Sequence, residues 1–388
     1  MANKRQKVSH FSQPSRSIHP KTSAASLQER SNLIPKPITD SLAKIKQSID
    51  LRLPKPIWNR IKGYRKQWDV DHSTTHQQVY FHDGFSLCSS LRHLPKNVQR
   101  SPEEYILLKK ECKAVDAKNT LWYDREGRKI VQYLSPFIPL DLATELEEQL
   151  QQLIEVSFFN YHFSYATQAS KPHPPKDQKY RHHNYDKCKA ALPTGTPCGV
   201  LQLNIQHQRG HFHDAPGPSA DSAGKCYQTE AATRFRTSSC VTRLSTLLSI
   251  ALAAIDYGTW RRYRVKVDET KAQSATFGVQ DHCSIQCFVG IFLLVNLFSD
   301  EHVDLNDIPD GWTAMVPLGN YERGELYLPD IGVCLPYRPK DVVFFHSRVL
   351  RHFSDYFKGV PRYVLVFTNN QGVFNFLSEK YDSLILSA

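Results

Sequence analysis

The sequence predicts an α+β protein with a double-stranded β-helix, or jelly roll, in its C-terminal part and supporting helices before it. From residue 280 onwards, short runs rich in β-branched and aromatic residues alternate with Gly, Pro and Asp, a pattern typical of two-sheet jelly rolls. Two apolar segments before this region have helical spacing. The first 50 residues are rich in Ser, Lys, Pro and Gln, a composition that predicts a disordered tail.

The order of these segments predicts one folded domain behind the tail. We expect the tail over 1–50 and the domain over 51–388, with the jelly-roll core at 280–372. Residues 170–235 are rich in Pro, His and Lys and predict a long loop insertion. Within it, the alternation of apolar and polar residues over 199–205 favours a half-exposed strand.

Periodicity places the individual elements of the domain. Asp141 suits an N-cap, and leucines recur behind it at helical spacing as far as Ile154. A second helix over 239–257 is apolar on most faces and should be buried, with Gly258 placed to end it. Buried strands are expected at 129–134, 288–298, 341–345 and 362–368.

Targeting signals and cysteines narrow the class of protein. The polar, basic N-terminus has no apolar segment of a secretory signal behind it, and no apolar run reaches the roughly 20 residues that a membrane span needs. We therefore expect no membrane partner. The nine cysteines form no tight framework, which favours reduced thiols.

Two pairs of cysteines, 188 with 198 and 283 with 287, could bind a metal or pack in the core. Cys188 and Cys198 could join nearby histidines in a zinc site, but the sequence has no Cys-x-x-Cys pair, so a structural zinc is not expected. Cys283 and Cys287 adjoin an apolar strand and are interpreted as core thiols. The histidines considered for zinc are His182, His183, His211 and His213.

The positive charge is concentrated at the N-terminus. Residues 1–66 contain 15 Lys or Arg and 3 Asp or Glu, whereas the whole chain carries +11. Basic residues interleaved with Trp58 and Tyr64 predict a segment that binds a polyanion, with nucleic acid favoured. The alternatives are a solvated tail, or a nuclear import signal at 4–7, and we expect a nuclear protein.

The pattern that indicates chemistry is His302-Val-Asp304, followed by His352 and Arg362. Two imidazoles and one carboxylate can occupy one face of a ferrous ion and leave three positions open, as in non-haem Fe(II) oxygenases. A guanidinium ten residues after the second histidine suits the distal carboxylate of 2-oxoglutarate. His346 is an alternative ligand, but Tyr356 stands ten residues after it and has no permanent positive charge.

These residues and their neighbours resemble the TET/JBP family, in the branch expanded in fungi. The resemblance covers about residues 280–372 and implies a dioxygenase that uses Fe(II), 2-oxoglutarate and O2, with ascorbate as an optional reductant. It implies iron binding by His302, Asp304 and His352, and binding of 2-oxoglutarate by Arg362. The stretches that carry it are 302–315, 324–332, 340–352 and 362–363.

The resemblance also implies substrate contacts. Asp307 stands where family members often touch the flipped base, and its carboxylate could accept from cytosine N4. Trp312 is a candidate to stack on the base and equally a candidate core residue. Two departures are Asn370, where relatives commonly have a histidine facing the base, and Val364, where a serine often assists 2-oxoglutarate binding.

The expected function is oxidation of the methyl group of 5-methylcytosine in DNA, with N6-methyladenine as a second substrate. The nucleotide must leave the duplex to reach the iron, and we expect a monomer acting on methylated DNA. The alternatives keep the fold but act on thymine, RNA or a protein, or, because of Val364 and Asn370, make the chain a DNA-binding protein with impaired catalysis.

Overall fold

The computed structural model describes residues 78–160, 188–206, 217–219, 227–273 and 286–376, apart from positions 99, 117, 189 and 204. The predicted tail over 1–50 lies outside the described residues. The helices are α1 Leu87–Arg92, α2 Pro102–Glu111, α3 Leu140–Asn160, α4 Tyr227–Arg236, α5 Ser239–Ile255 and α6 Tyr257–Gln273.

The strands are short and most of them follow α6. They are β1 Gln78–His82, β2 Lys113–Ala114, β3 Thr120–Asp124, β4 Lys129–Leu134, β5 Gly199–Gln202, β6 Ile205–Gln206, β7 Gly217–Pro218, β8 Gly290–Val295, β9 Ser299–His302, β10 Thr313–Gly319, β11 Glu322–Arg323, β12 Leu326–Leu328, β13 Val333–Leu335, β14 Val342–Phe345, β15 His352–Ser354, β16 Phe357–Lys358 and β17 Arg362–Thr368.

Two sheets form the centre of the domain. The first has eight strands in the order β1-β3-β4-β14-β10-β17-β8-β5, and the second has five in the order β2-β13-β12-β15-β9. From β8 onwards the chain passes repeatedly from one sheet to the other, so that sequence neighbours such as β8 and β9 lie in different sheets. This antiparallel crossing pattern is that of a double-stranded β-helix, which confirms the predicted fold class.

The first sheet is covered on both faces, and alternation along β17 shows it. Tyr363, Leu365 and Phe367 belong to the core shared with the helices. Val364 and Val366 belong to the core between the two sheets. Because successive side chains of a strand point to opposite faces, Arg362 faces the interior between the sheets together with Val364.

The helices begin where the sequence offers side-chain caps. Ser101 and Glu104 form a capping box at the start of α2, with Pro102 in its first turn. Ser238 caps α5, most of whose side chains are buried against the first sheet. The predicted end of this helix at Gly258 is wrong: α5 ends at Ile255, and the Asp256 carboxylate accepts from Thr259 N–H to start α6.

The predicted insertion over 170–235 contains regular structure where it is described. β5 extends the first sheet beside β8, and α4 packs on α3 and α5. The half-exposed strand expected here is instead buried at each residue, because Leu201 joins the helix-side core while Val200 packs with Cys188, Cys198 and Leu297.

Several of the described cysteines are buried. The histidines weighed for zinc beside Cys188 and Cys198 lie outside the described residues, as does Cys283. Cys287 is a core thiol as predicted, fully buried and in contact with the Ser249 hydroxyl at 3.2 Å. Of the described helices, none alone has the length and apolar character to cross a membrane, and one bent pair, 230–236 with 239–255, passes that test together.

Candidate active site

The two histidines of the motif are cross-strand partners. His302 ends β9 and His352 begins β15, and the antiparallel register of these strands places them opposite each other. Directly opposed residues project from the same face of a sheet, and their ring centroids are 4.2 Å apart. Both strands are therefore needed to bring together residues that lie fifty positions apart in the chain.

Asp304 completes the cluster from the loop after β9. Its N–H donates to the Ser347 carbonyl at 3.0 Å, which fixes this loop to the one after β14. The carboxylate oxygens lie 3.8 Å from His302 Nε2 and 3.7 Å from His352 Nε2. One ligand atom from each residue lies within 4.8 Å of the others, a spacing at which the three can bind a single ion.

Hydrogen bonds on the far side of each imidazole orient it for metal binding. His302 Nδ1 lies 2.7 Å from the Asp300 carbonyl, and His352 Nδ1 lies 3.1 Å from the Leu350 carbonyl. A carbonyl can only accept, so each Nδ1 carries the proton and each Nε2 presents its lone pair.

Burial sets the charge of the cluster in the metal-free protein. Loss of solvation lowers the pKa of both His302 and His352 to about 4. The same loss of solvation raises the pKa of Asp304. The imidazoles are therefore neutral at physiological pH, as metal ligands must be, and a bound cation would favour the ionised form of Asp304.

His346 has a structural role. Its ring packs against Trp312 at a tilt of 40° with centroids 4.2 Å apart, and Nδ1 lies 2.8 Å from the Gly311 carbonyl. Nε2 lies 3.3 Å from the Lys129 carbonyl. Both nitrogens thus face backbone oxygens on the helix side of the first sheet, which supports the choice of His352 as the ligand.

Arg362 lies in an aromatic enclosure between the sheets and is 2% exposed. Its Cζ is 5.3 Å from the Tyr321 ring centroid, 5.6 Å from that of Tyr337 and 5.0 Å from that of Phe357. Nη1 donates to the Leu297 carbonyl. Among the described residues, Nε and Nη2 have no hydrogen-bond partner. A buried cation with two free donors fits an anionic ligand.

Asp307 is held beside the metal cluster by hydroxyl groups. Its Oδ2 accepts from the Thr313 hydroxyl at 2.8 Å and from the Ser347 hydroxyl at 2.7 Å. Burial, and then the charge of Asp304, raise the pKa of Asp307 to about 7. The carboxyl group is therefore fixed next to the cluster, and its contact with a substrate stays a prediction.

The other two expected substrate contacts have different surroundings. Trp312 is 2% exposed in the helix-side core, and its Nε1 donates to Asp256 at 3.1 Å. Its proposed stacking on a base is wrong, because the apolar helices cover the ring. Asn370 forms a backbone bridge with Asp307, and its side-chain oxygen accepts from Gly372 N–H at 2.8 Å. Its contact with a base stays a prediction.

Sequence reasoning missed the residues that support the end of β9 and the loop that carries Asp304. Asn97 Oδ1 accepts from Val303 N–H at 2.7 Å, and the Tyr105 hydroxyl accepts from Glu301 N–H at 2.7 Å. The buried Glu301 carboxylate pairs with Arg100. No local pattern marks these residues, since they approach β9 from about 200 positions earlier in the chain.

Comparisons with known proteins give structural neighbours only. No family model and no curated protein matches the sequence. Among solved structures, the chain is similar to NgTET1 in complex with 5mC DNA, at 13% identity over 71% of this chain and 92% of that one, with a TM-score of 0.43.

Two further neighbours are more distant. A 2OG-Fe(II) oxygenase family oxidoreductase from Burkholderia pseudomallei has 12% identity over 48% of this chain and 80% of that one, with a TM-score of 0.27. OsALKBH1 has 11% identity over 62% and 97%, with a TM-score of 0.29. The neighbours thus include a TET structure and other 2OG-Fe(II) oxygenases, but likenesses this low carry no information about the substrate.

Proposed function

We propose that this protein is an Fe(II)- and 2-oxoglutarate-dependent dioxygenase that oxidises the methyl group of 5-methylcytosine in DNA. The observation that carries the proposal is the convergence of His302, Asp304 and His352, combined with the two unpaired donors, Nε and Nη2, of Arg362. Two neutral imidazoles and one carboxylate are the ligand set of mononuclear Fe(II) oxygenases.

The residues fit both groups that the reaction needs. The Nε2 atoms and the Asp304 carboxylate would hold the iron, and the Nδ1 hydrogen bonds keep the rings in the required tautomer. Arg362 would bind the distal carboxylate of 2-oxoglutarate through its free donors. When bound, iron, 2-oxoglutarate and O2 supply hydroxylation of a C–H bond, coupled to decarboxylation of the cosubstrate to succinate.

Space beside Arg362 supports the second assignment. A Cβ added to Gly324 would lie 3.4 Å from Arg362 Nε and 2.9 Å from the Phe357 Cβ. Gly324 also has φ +78°, which a residue with a side chain adopts at a cost. Glycine therefore keeps the surroundings of the guanidinium clear of a further side chain.

Asp307 supports an amino-bearing base as the substrate. Thr313 and Ser347 fix its carboxyl group beside Asp304. A carboxylate can accept from the exocyclic amino group of cytosine or adenine, whereas thymine presents a carbonyl oxygen at that position. This favours 5-methylcytosine, admits N6-methyladenine as a second substrate, and disfavours thymine.

Nucleoside mass spectrometry tests the proposal. The full chain is incubated with duplexes that carry 5-methylcytosine, N6-methyladenine or only unmodified bases, with and without Fe(II) and 2-oxoglutarate. We expect 5-hydroxymethylcytosine only when both are present, with one succinate formed per oxidation. Product from an RNA or from thymine, with none from 5-methylcytosine, would contradict the proposed substrate, and the absence of any succinate would contradict the proposed class of enzyme.

We propose that Arg348 binds a phosphate of the DNA. It follows Ser347, and the charges of Asp307 and Asp304 act on its guanidinium. Its Nη1 donates to the Pro95 carbonyl at 3.1 Å. Whereas Arg100 and Arg351 pair with Glu301 and Asp330, Arg348 has no carboxylate within ion-pair distance among the described residues.

Replacing Arg348 with alanine should weaken DNA binding in a salt-dependent way. The loss of one phosphate contact is expected to reduce the slope of log K against log salt by roughly 1 and to raise KM several-fold. Arg348→Lys should retain the slope, because it keeps the positive charge. An unchanged salt slope in the alanine variant would exclude the phosphate contact.

A further inference from the structure

Tyr337 is a strained, fully buried residue beside Arg362. It follows β13, is 0% exposed and has φ +52°. A bulky residue in this left-handed region is an outlier that the surrounding structure must hold in place. The Tyr321 hydroxyl does so by donating to the Tyr337 carbonyl at 2.7 Å.

The hydroxyl of Tyr337 has no hydrogen-bond partner among the described residues. Buried hydroxyls are nearly always paired, because an unpaired one loses its bonds to water without replacement. Arg362 Nε and Nη2 are unpaired in the same enclosure, and the Arg362 Cζ lies 5.6 Å from the Tyr337 ring centroid. The Tyr337 ring therefore adjoins the guanidinium, and these two side chains carry three unsatisfied donor groups in the core between the sheets.

These donors indicate one acceptor of negative charge. Val364 shares the interior face of β17 with Arg362 and has no polar atom to offer. Burial raises the pKa of Tyr337 well above its usual value, so the phenol remains a donor at physiological pH. A carboxylate has two oxygens and can accept from a guanidinium and a phenol at the same time.

We propose that the Tyr337 hydroxyl is a second donor to the distal carboxylate of 2-oxoglutarate, beside Arg362. The proposal rests on the proposed function, since that function supplies the ligand. It makes Tyr337 a positioning residue for the cosubstrate that provides a hydroxyl where Val364 cannot. The strained backbone places the phenol in the enclosure.

The test is the affinity for 2-oxoglutarate, measured without turnover. Isothermal titration calorimetry on the Mn(II)-loaded full chain compares the parent with Tyr337→Phe, which removes only the hydroxyl. A hydrogen bond to a charged group is lost, so the Kd for 2-oxoglutarate should rise by about tenfold or more. The Mn(II) affinity should not change. Tyr363→Phe, on the opposite face of β17, is the matched control and should bind as the parent does.

A second ligand separates this contact from a general effect on the site. 2-Oxopentanoate has the same chain length as 2-oxoglutarate but no distal carboxylate. Its Kd should be equal in the parent and in Tyr337→Phe, because the ligand lacks the group that the hydroxyl contacts. An equal loss of affinity for both ligands, or no loss for either, overturns the proposal.

Two further variants keep the test independent of folding. Tyr337→Asn introduces a residue that tolerates the left-handed backbone conformation. This variant should also lose affinity for 2-oxoglutarate. Adding Val364→Ser to Tyr337→Phe places a hydroxyl on the face of Arg362 and should restore part of it. A parent that binds no 2-oxoglutarate would refute the proposed function and this assignment together. Equal affinity of the parent and of Tyr337→Phe for 2-oxoglutarate would refute only this assignment.

Discussion

Asp304→Ala should lose all measurable turnover and all stabilisation by metal. The variant keeps two neutral imidazoles but has no anionic ligand, and an Fe(II) or Mn(II) ion bound by carboxylate and imidazole loses its charge-bearing donor. We expect metal affinity to fall by at least about 100-fold, the upper range for losing a group that supports a metal site. Hydroxymethylated product should fall to the background.

The same substitution should not destabilise the metal-free protein. Burial raises the pKa of Asp304 above its value in the unfolded chain. Ionisation of this carboxyl therefore opposes folding once the pH rises above the pKa that Asp304 has in the unfolded chain. Removing the carboxyl removes that opposition, and at pH 7.5 the apo variant should melt at or above the temperature of the parent. Asp304→Asn is the matched control of similar size.

Differential scanning fluorimetry with and without Mn(II) checks both expectations. The melting temperature of the parent should rise with Mn(II) by mass action. Neither Asp304→Ala nor Asp304→Asn should show this rise. If Mn(II) raised the melting temperature of Asp304→Ala as much as that of the parent, the metal would bind elsewhere in the chain.

The convergence of His302, Asp304 and His352 could be predicted from the sequence because it depends on few local facts. A His-x-Asp after one strand and a histidine at another strand need only adjacent, antiparallel pairing to meet, and β9 and β15 provide it. The interior direction of Arg362 likewise follows from alternation along β17. Both inferences use the side-chain period of a strand, which the sequence displays directly.

Features that depend on contacts between distant elements could not be predicted in this way. The apolar run over 288–298 predicts one strand, but β8 ends at Val295 and Asn296 turns the chain with φ +51°. Asn296 Oδ1 accepts from Arg362 N–H at 2.7 Å, and its Nδ2 donates to the Pro197 carbonyl at 2.7 Å. This turn is stabilised by partners 66 and 99 positions away. The hydropathy pattern of the run cannot predict such distant contacts.

Trp312 and Tyr337 show the same limit in opposite directions. Trp312 was a reasonable candidate for stacking because it stands near the ligands in sequence, yet helices α5 and α6 cover it. Tyr337 has no motif around it, and only its burial, backbone angle and unpaired hydroxyl single it out. The sequence thus indicates which residues can bind a ligand, while the packing decides which of them face it.

Arg362→Met should weaken 2-oxoglutarate binding by about 100-fold or more while leaving the unliganded protein as stable as the parent or more so. In the structure, the guanidinium is buried among three aromatic rings with two donors unpaired. Replacing a buried, unpaired charge with an apolar side chain of similar length removes a desolvation cost. The melting temperature without ligand should therefore stay constant or rise, although the bond to the Leu297 carbonyl is lost.

The ligand-bound state should show the opposite effect. Removing one partner of a buried ion pair costs about 3–5 kcal/mol, which corresponds to a loss of affinity of roughly 100- to 4,000-fold. Arg362→Lys keeps the charge but not the planar pair of donors and should fall between the parent and the methionine variant. Titration of each Mn(II)-loaded protein with 2-oxoglutarate measures these losses, and melting curves without ligand measure the stability. If the donors of Arg362 are satisfied only by the ligand, its replacement with methionine must lower the affinity for 2-oxoglutarate without lowering the stability of the unliganded protein. A methionine variant that is less stable without ligand yet binds 2-oxoglutarate normally would show that Arg362 supports the fold and not the cosubstrate.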